Sequence, residues 1–339
     1  MQQLKQRESQ FELLRIVAMA MIVALHFNGV VMQMFQPVSK CSFSGMWGAE
    51  TLEAVAIVGV NLFVLISGYF GIRLSAKGIA KYVGWVLWYS ILLFLLYSCW
   101  HPEFYTHKTS KLAFLGITHS TQWFVTAYFV LMVLSPVLNA AIRRTSFSQH
   151  LWIALALIAV NCTVGWWLEV DFNKSGYTVY HLVMVYFFGH TLRECLERYR
   201  QLPWRWIGAV VYVASVAGVA LMMQSMDYYK AIAYCNPVVL LESMAFFVVF
   251  ATMHFRSRAV NWMASSAFAV YLIHMHFAVY PNVLRPALLS LYASQSEVMF
   301  TVWATLMAIV LYAVCILVDK PRAWLFDRII EKCTKEKTV

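Results

Sequence analysis

Long unbroken apolar runs, separated by short polar stretches, follow one another along the chain from residue 11 to residue 318. A helix crosses about 30 Å of hydrocarbon with about 20 mostly apolar residues. Runs of that kind stand at 11–34, 51–72, 79–100, 121–140, 151–168, 177–193, 204–224, 235–254, 262–282 and 297–318. The run at 177–193 is interrupted by His181 and His190, and 112–118 is long enough only to dip into the interface. The runs are continuous and rich in Leu, Val and Met, whereas strands of a membrane barrel are short and alternate. The pattern predicts an all-α, polytopic integral membrane protein of about ten transmembrane helices. No Gly/Ser/Pro-rich linker, low-complexity tract or solenoid repeat divides it. One membrane domain is expected over 11–318, after a short segment 1–10 and before a basic tail 319–339. The first apolar run is full length, with no small-residue cleavage site behind it, so it is read as a span and not as a signal peptide.

Composition agrees. The chain is 61% hydrophobic and 12% charged, with a mean hydropathy of +0.66; a soluble domain carries about 25% charge. Charge then orients the spans. With the N-terminus inside, the segments around Lys5, Arg7 and Arg15, Arg73 to Lys81, Arg143 and Arg144, Arg193 to Arg205, Arg256 and Arg258, and the tail from Lys320 to Lys337 hold about 20 of the 26 basic residues. The other side keeps Lys40, Lys108, Lys111, Lys174, Lys230 and Arg285. The positive-inside rule therefore predicts cytoplasmic N- and C-termini. The net charge of +10 needs no nucleic acid to explain it, because it orients the protein and attracts anionic lipid. The seven cysteines are odd in number and form no close-spaced metal pattern. Cys99, Cys162, Cys235 and Cys315 read as small apolar residues in or beside the runs, and Cys41 lies in a loop where it is not expected to pair.

Ionisable residues inside spans are costly and usually functional. The first span, FELLRIVAMAMIVALHF, holds Glu12, Arg15 and His26. Arg15 and His26 lie about 16 Å apart along a helix axis and only roughly 20° apart around it, and Glu12 sits one turn before Arg15. One helix face thus carries an acid and a base near the cytoplasm and an imidazole at or beyond mid-membrane. In one reading Glu12 and Arg15 anchor the helix as an interfacial pair, and His26 hydrogen-bonds another helix. In the other the face is a reaction axis: Arg15 holds an anionic group arriving from the cytoplasm, and His26 does proton transfer or nucleophilic work. Glu53 and Asn61 in the second run, Glu242 in the eighth, and His274 and His276 in the ninth are further embedded polar groups. Glu53 and Glu242 read equally as functional groups or as protonated or paired structural residues, and His181 and His190 as interfacial. At i, i+2 on a helix, His274 and His276 would face different ways, so no metal site is expected there or elsewhere. No phosphate-cradling glycine loop, GxSxG or HExxH occurs. The glycines of GVNLFVLISGYFG (59–71) are expected to permit close helix packing or a kink.

Four segments, in order, resemble the membrane-bound acyltransferase 3 family: RESQFELLRIVAMAMIVALHF, with Arg15 and His26 at the family's spacing and Glu12 where an acid usually stands; GVNLFVLISGYFG; WFVTAYFVLMVLSPVLN; and AVYLIHMHF. The resemblance runs from about residue 9 to Lys320-Pro321. It implies transfer of an acyl group, usually acetyl from acetyl-CoA as co-substrate, to a hydroxyl of a sugar, glycolipid or surface polysaccharide, by a multi-pass enzyme of the bacterial cytoplasmic membrane. It implies catalytic roles for His26, Glu12 and Arg15. Donor phosphates would meet Arg15, Arg73, Lys77 and Lys81, although the family's Arg-x-x-Arg after the second helix is replaced here by GIRLSAKGIAK, and Lys acts on phosphate as a point charge. Trp123, Tyr128 and His274 fall on the acceptor side. For the two aromatic residues sugar stacking and membership of an interfacial belt are alternatives. His26 would act as general base or carry the acyl group itself. The competing class is a transporter or flippase of a lipid-linked sugar or organic anion. Expected partners are membrane lipid, acyl-CoA and a carbohydrate acceptor; acceptor, acyl chain and oligomeric state are not specified.

Overall fold

The computed structural model describes residues 8–34 and 43–335. Lys5, Arg7, Lys40, Cys41 and Lys337 lie outside the described residues. The described chain is helical: α1 (Ser9–Met34), α2 (Phe43–Ala56), α3 (Gly59–Phe70), α4 (Ala76–Trp100), α5 (His107–Phe114), α6 (Trp123–Arg144), α7 (Phe147–Val160), α8 (Val179–Arg198), α9 (Trp204–Ser225), α10 (Tyr228–Ala231), α11 (Pro237–Ala251), α12 (Arg258–Ala264), α13 (Ala267–His274), α14 (Arg285–Ser294) and α15 (Glu297–Lys335). Among the described residues there is no strand. The chain divides into two compact units, one of Met1–Ile72 and Val130–Ala264, the other of Arg73–Phe129 and Ser265–Val339.

In the first unit α3 packs along α8, α9 packs along α11, and α1 rests on α2, α3 and α12. The α3–α8 pairing rests on two glycines. A Cβ on Gly189 would come within 2.3 Å of the Leu65 carbonyl oxygen, and Gly68 faces the Tyr186 backbone. Gly59 and Gly68 of the 59–71 segment thus bring backbones together, as expected. Gly71, at φ +73°, ends α3. Just beyond it, the Tyr186 hydroxyl accepts from Ile72 N (2.8 Å) and donates to Asn139 Oδ1 (2.7 Å), while Asn139 Nδ2 donates to the Ile72 carbonyl (2.8 Å). That triangle satisfies the backbone of the chain leaving α3. At the same end of this unit Phe11 packs on Tyr69, Phe70 and Phe247. Ser257 N donates to Ser9 Oγ, and Arg205 caps the Thr252 carbonyl at the end of α11. Arg193, Arg205, Arg256 and Arg258 therefore belong to the end of the unit that holds the start of α1.

In the second unit α4 packs on α5 and α13, and α15 on α13 and α14. The outer side of α15 is apolar and open: Val302, Leu306, Ile309, Val310 and Leu317 are all exposed. So are Trp206, Val210 and Val213 on α9 in the first unit. Apolar surface on this scale is stable only against lipid or a partner.

Among the described residues seven helices are long and apolar enough to cross a membrane, against about ten predicted runs. They match the runs at 11–34, 51–72, 79–100, 121–140, 151–168, 204–224 and 297–318. The other three runs differ. The 235–254 run forms a helix of only 15 residues, α11. The 177–193 run forms the 20-residue α8, which continues into Arg193, Glu194, Glu197 and Arg198. The 262–282 run is not one helix: α12 ends at Ala264, α13 covers Ala267–His274, and a turn with wider, π-type hydrogen bonding follows at Tyr280–Leu284 around Pro281. At the C-terminal end α15 runs 39 residues to Lys335 with Pro321 inside it, so the segment expected as a tail continues the last span as helix. Cys99, Cys162, Cys195, Cys235 and Cys315 are free thiols.

Candidate functional site

The first unit carries Glu12, Arg15 and His26 on α1, a single uninterrupted helix, so the predicted geometry of one shared face holds. Arg15 Nη1 donates to Glu12 Oε1. The carboxylate is buried (7% exposed) and the guanidinium reaches outward (32% exposed), so Glu12 fixes Arg15 from behind. A ring N–H of His26 donates to the Ile22 carbonyl one turn back. In the neutral ring the other nitrogen is then the basic one. Ala18 and Ile22 lie between Arg15 and His26 on this face. They are buried against α3, where a Cβ on Gly59 would come within 2.8 Å of the Ala18 carbonyl oxygen. The face is therefore partly exposed at Arg15 and His26 and covered in its middle.

Two residues beyond His26, Asn28 Nδ2 donates to Glu53 Oε2 (2.6 Å) and to the Ala49 carbonyl (2.9 Å), tying α1 to α2. Tyr228 also hydrogen-bonds Glu53. Burial, and next the Glu53 carboxyl, raise the Tyr228 phenol above its ordinary value. Glu53 is thus a paired group. Both carboxyl oxygens of Glu242 are buried with no hydrogen-bond partner among the described residues.

His181, expected at the interface, is fully buried. Its Nε2 donates to Asn61 Oδ1 (2.8 Å), and Asn61 Nδ2 donates to Ser243 Oγ (3.1 Å), so α3, α8 and α11 share one polar joint. Deeper in the same unit Asn173 Nδ2 donates to Asn161 Oδ1 (2.7 Å) and Asn161 Nδ2 to the Cys235 carbonyl (2.8 Å). The burial of His181 follows from the Asn61 side chain opposite it, which hydropathy does not register.

A further cluster was missed altogether. His150 on α7 and His190 and Glu194 on α8 place their ligand atoms within 4.8 Å of one another. His150 Nδ1 meets Glu194 Oε2, and His150 Nε2 lies 3.0 Å from the Ile142 carbonyl oxygen. His190 and Glu194 stand one helical turn apart, a spacing readable in the sequence; the contact of His150 with His190, 40 positions along the chain, is not.

The second unit carries the other predicted residues. Arg73 and Lys77 are exposed, and Lys81 is paired with Asp327 at 2.6 Å. Tyr128 stacks on Phe124 and leans on Tyr82, and Trp123 meets Phe124 edge-on. These rings form a cluster with Phe268 and Tyr271. His274 is buried at the end of α13, with Nδ1 2.6 Å from the Val270 carbonyl oxygen. His276 lies past the helix end, so helical phase does not relate the two rings, contrary to the i, i+2 expectation. Its Nδ1 accepts from Ala278 N (3.2 Å), hence Nε2 is the nitrogen that donates to the Ser90 carbonyl (3.1 Å). Tyr89, Ser90, Ser120, Gln122 and His276 line a small crevice in this unit. Nearby on α15, Asp319 accepts from Tyr89 Oη (2.9 Å) and Arg322 Nε (2.6 Å), and the Arg322 guanidinium sits 4.2 Å from the Trp85 ring centre. Arg322, expected in a solvated tail, is only 7% exposed because Asp319 and Trp85 hold it.

A family profile described as an acyltransferase domain, acyltransferase 3, matches residues 8–320. That range contains every residue assigned above to catalysis, donor or acceptor. No curated protein and no solved structure matches the chain.

Proposed function

Because the chain belongs to the acyltransferase 3 family, and is a membrane acyltransferase on that ground, we propose that it moves an acetyl or other short acyl group from cytoplasmic acyl-CoA to a hydroxyl of a sugar, glycolipid or surface polysaccharide. The observation that carries this reading is α1: Glu12 steadies a partly exposed Arg15 at one end, and His26 stands about 16 Å further along the same helix. Arg15 offers a guanidinium to donor phosphate. Arg73, Lys77 and Lys81 are assigned to donor phosphates by their charge alone. An extended pantetheine arm has the reach to join Arg15 to His26, but the buried Ala18 and Ile22 oblige it to pass beside their shared stripe.

At His26 the basic nitrogen takes the proton of the acceptor hydroxyl as the oxygen attacks the thioester carbonyl. The C–S bond breaks, and the thiolate of CoA leaves and recovers the proton. In the covalent variant the imidazole attacks first and expels the CoA thiolate, and the acceptor oxygen then displaces the imidazole, its proton passing to the thiolate. Trp123 and Tyr128 offer ring faces to a sugar, and His274 stands with them in the second unit. With the N-terminus cytoplasmic, about ten crossings, one of them short, one broken and one running into charged residues, bring the donor to the basic side. A bacterial cytoplasmic membrane suits that arrangement.

Donor binding tests this reading. Purified protein should gain stability with acetyl-CoA as RT ln(1 + [L]/Kd). Absence of any shift with acetyl-, propionyl- and longer acyl-CoA would overturn it and favour transport of a sugar carrier or organic anion.

A further inference from the structure

We propose that His150, His190 and Glu194 form a binding site for a divalent transition-metal ion of the zinc class. The inference is independent of the acyl-transfer reading. It starts from hydrogen-bond polarity. The Ile142 carbonyl can only accept, so His150 Nε2 carries a hydrogen and donates to it (3.0 Å). In the neutral ring Nδ1 then holds the lone pair, and Nδ1 is the atom that meets Glu194 Oε2. A lone pair and a carboxylate oxygen face each other at the side of a histidine that is 1% exposed, and a positive charge must lie between them. A proton would serve that pair alone. A metal ion accounts for the third member as well, because His190 Nε2 stands 3.5 Å from Glu194 Oε1 and the three ligand atoms lie within 4.8 Å of one another.

The arrangement has the features of a metal site. Two imidazoles and a carboxylate suit zinc, with bonds of about 2.1 Å and hence ligand-to-ligand edges of about 3.4 Å in a tetrahedral set. The present separations, 3.5 Å from His190 Nε2 to Glu194 Oε1 and at most 4.8 Å among the three ligand atoms, are of that order. A ligating histidine characteristically donates its other ring N–H to a carbonyl, which fixes its tautomer, and His150 does this with Ile142. His190 and Glu194 project from one face of α8 at i, i+4, and His150 comes from the first turn of α7. His190 and Glu194 are 24% and 31% exposed, so a fourth position opens to water or an anionic group. The ion would clamp the start of α7 to the end of α8.

The test uses full-length protein free of any polyhistidine tag, stripped with a chelator and titrated with Zn²⁺ and Co²⁺. The expected result is one ion per chain, with Co²⁺ giving the intense visible absorption of a four- or five-coordinate nitrogen–oxygen set. His190→Ala and Glu194→Gln should weaken Zn²⁺ binding by more than the roughly 10–100-fold cost of losing an outer-shell partner. Zn²⁺ should raise the Tm of wild type and of neither variant. Should His190→Ala misfold, Glu194→Gln alone decides. A wild-type chain that binds no stoichiometric Zn²⁺, or variants that bind it equally well, would overturn the proposal and leave a protonated His150–Glu194 pair.

Discussion

Gly68 on α3 lies so close to Tyr186 on α8 that a Cβ built on it would stand 1.9 Å from the Tyr186 carbonyl oxygen. The obstacle is backbone and cannot rotate away. Gly68→Ala should therefore push the two helices apart and cost at least the upper part of the about 1–3 kcal/mol usual for overpacking. Thermal unfolding in detergent would read it, and an unchanged Tm would show that the α3–α8 contact is looser than described. Gly29, with no heavy atom within 4 Å of its built Cβ, is the control.

His26→Ala should reduce acyl transfer by about 10²–10⁴-fold while leaving acetyl-CoA stabilisation intact, as expected for loss of a general base. Activity at the wild-type rate would remove His26 from the mechanism. A labelled acyl-enzyme trapped in wild type and absent from His26→Ala would select the covalent route over the simple base.

Arg15→Lys keeps a positive charge for Glu12 but loses the planar fork that grips phosphate with two bonds. Steady-state kinetics should show KM for acyl-CoA rising by about tenfold with kcat nearly unchanged, the mark of lost uniform binding. A fall in kcat at constant KM would instead place Arg15 in the chemical step.

Arg322→Ala would leave Asp319, which has no exposed surface, charged and without its cationic partner. Breaking a buried pair from one side costs about 3–5 kcal/mol, so a large loss of Tm is expected. The double change Asp319→Asn with Arg322→Met should recover most of it. Failure of the double variant to recover would mean that the guanidinium matters through Trp85 and not through Asp319.

The outline of the spans was readable because transfer of an apolar run into lipid depends on composition, which a sequence states directly. The same measure does not show that residues 262–282 form more than one helix. That run is apolar enough, yet the backbone breaks at Ser265–Ser266 and again at Met275–Ala278, and hydropathy carries no information about where a buried helix stops. The α1 face was readable because Glu12, Arg15 and His26 sit on one helix, where spacing fixes direction. What required coordinates was pairing across distance. The Asn61–His181 bond joins residues 120 positions apart, and the His150–Glu194 contact joins residues 44 apart. Arg322 looked like a tail residue because Tyr89, Asp319 and Trp85 cannot be placed around it from the sequence alone.

The last helix has a mechanical consequence. At 39 residues, α15 is about 58 Å long, nearly twice the about 30 Å of a hydrocarbon core. Its ionic and polar ties to α4 fall toward one end, Tyr89 to Asp319 and Lys81 to Asp327, while Val302, Leu306, Ile309, Val310 and Leu317 face outward. A thicker or thinner bilayer would thus act on a rod whose ionic ties lie at one end and whose other end is held by apolar packing, Phe300 on Tyr292 of α14. A change of tilt would load that packing first, which makes lipid chain length a way to strain the second unit without altering a residue.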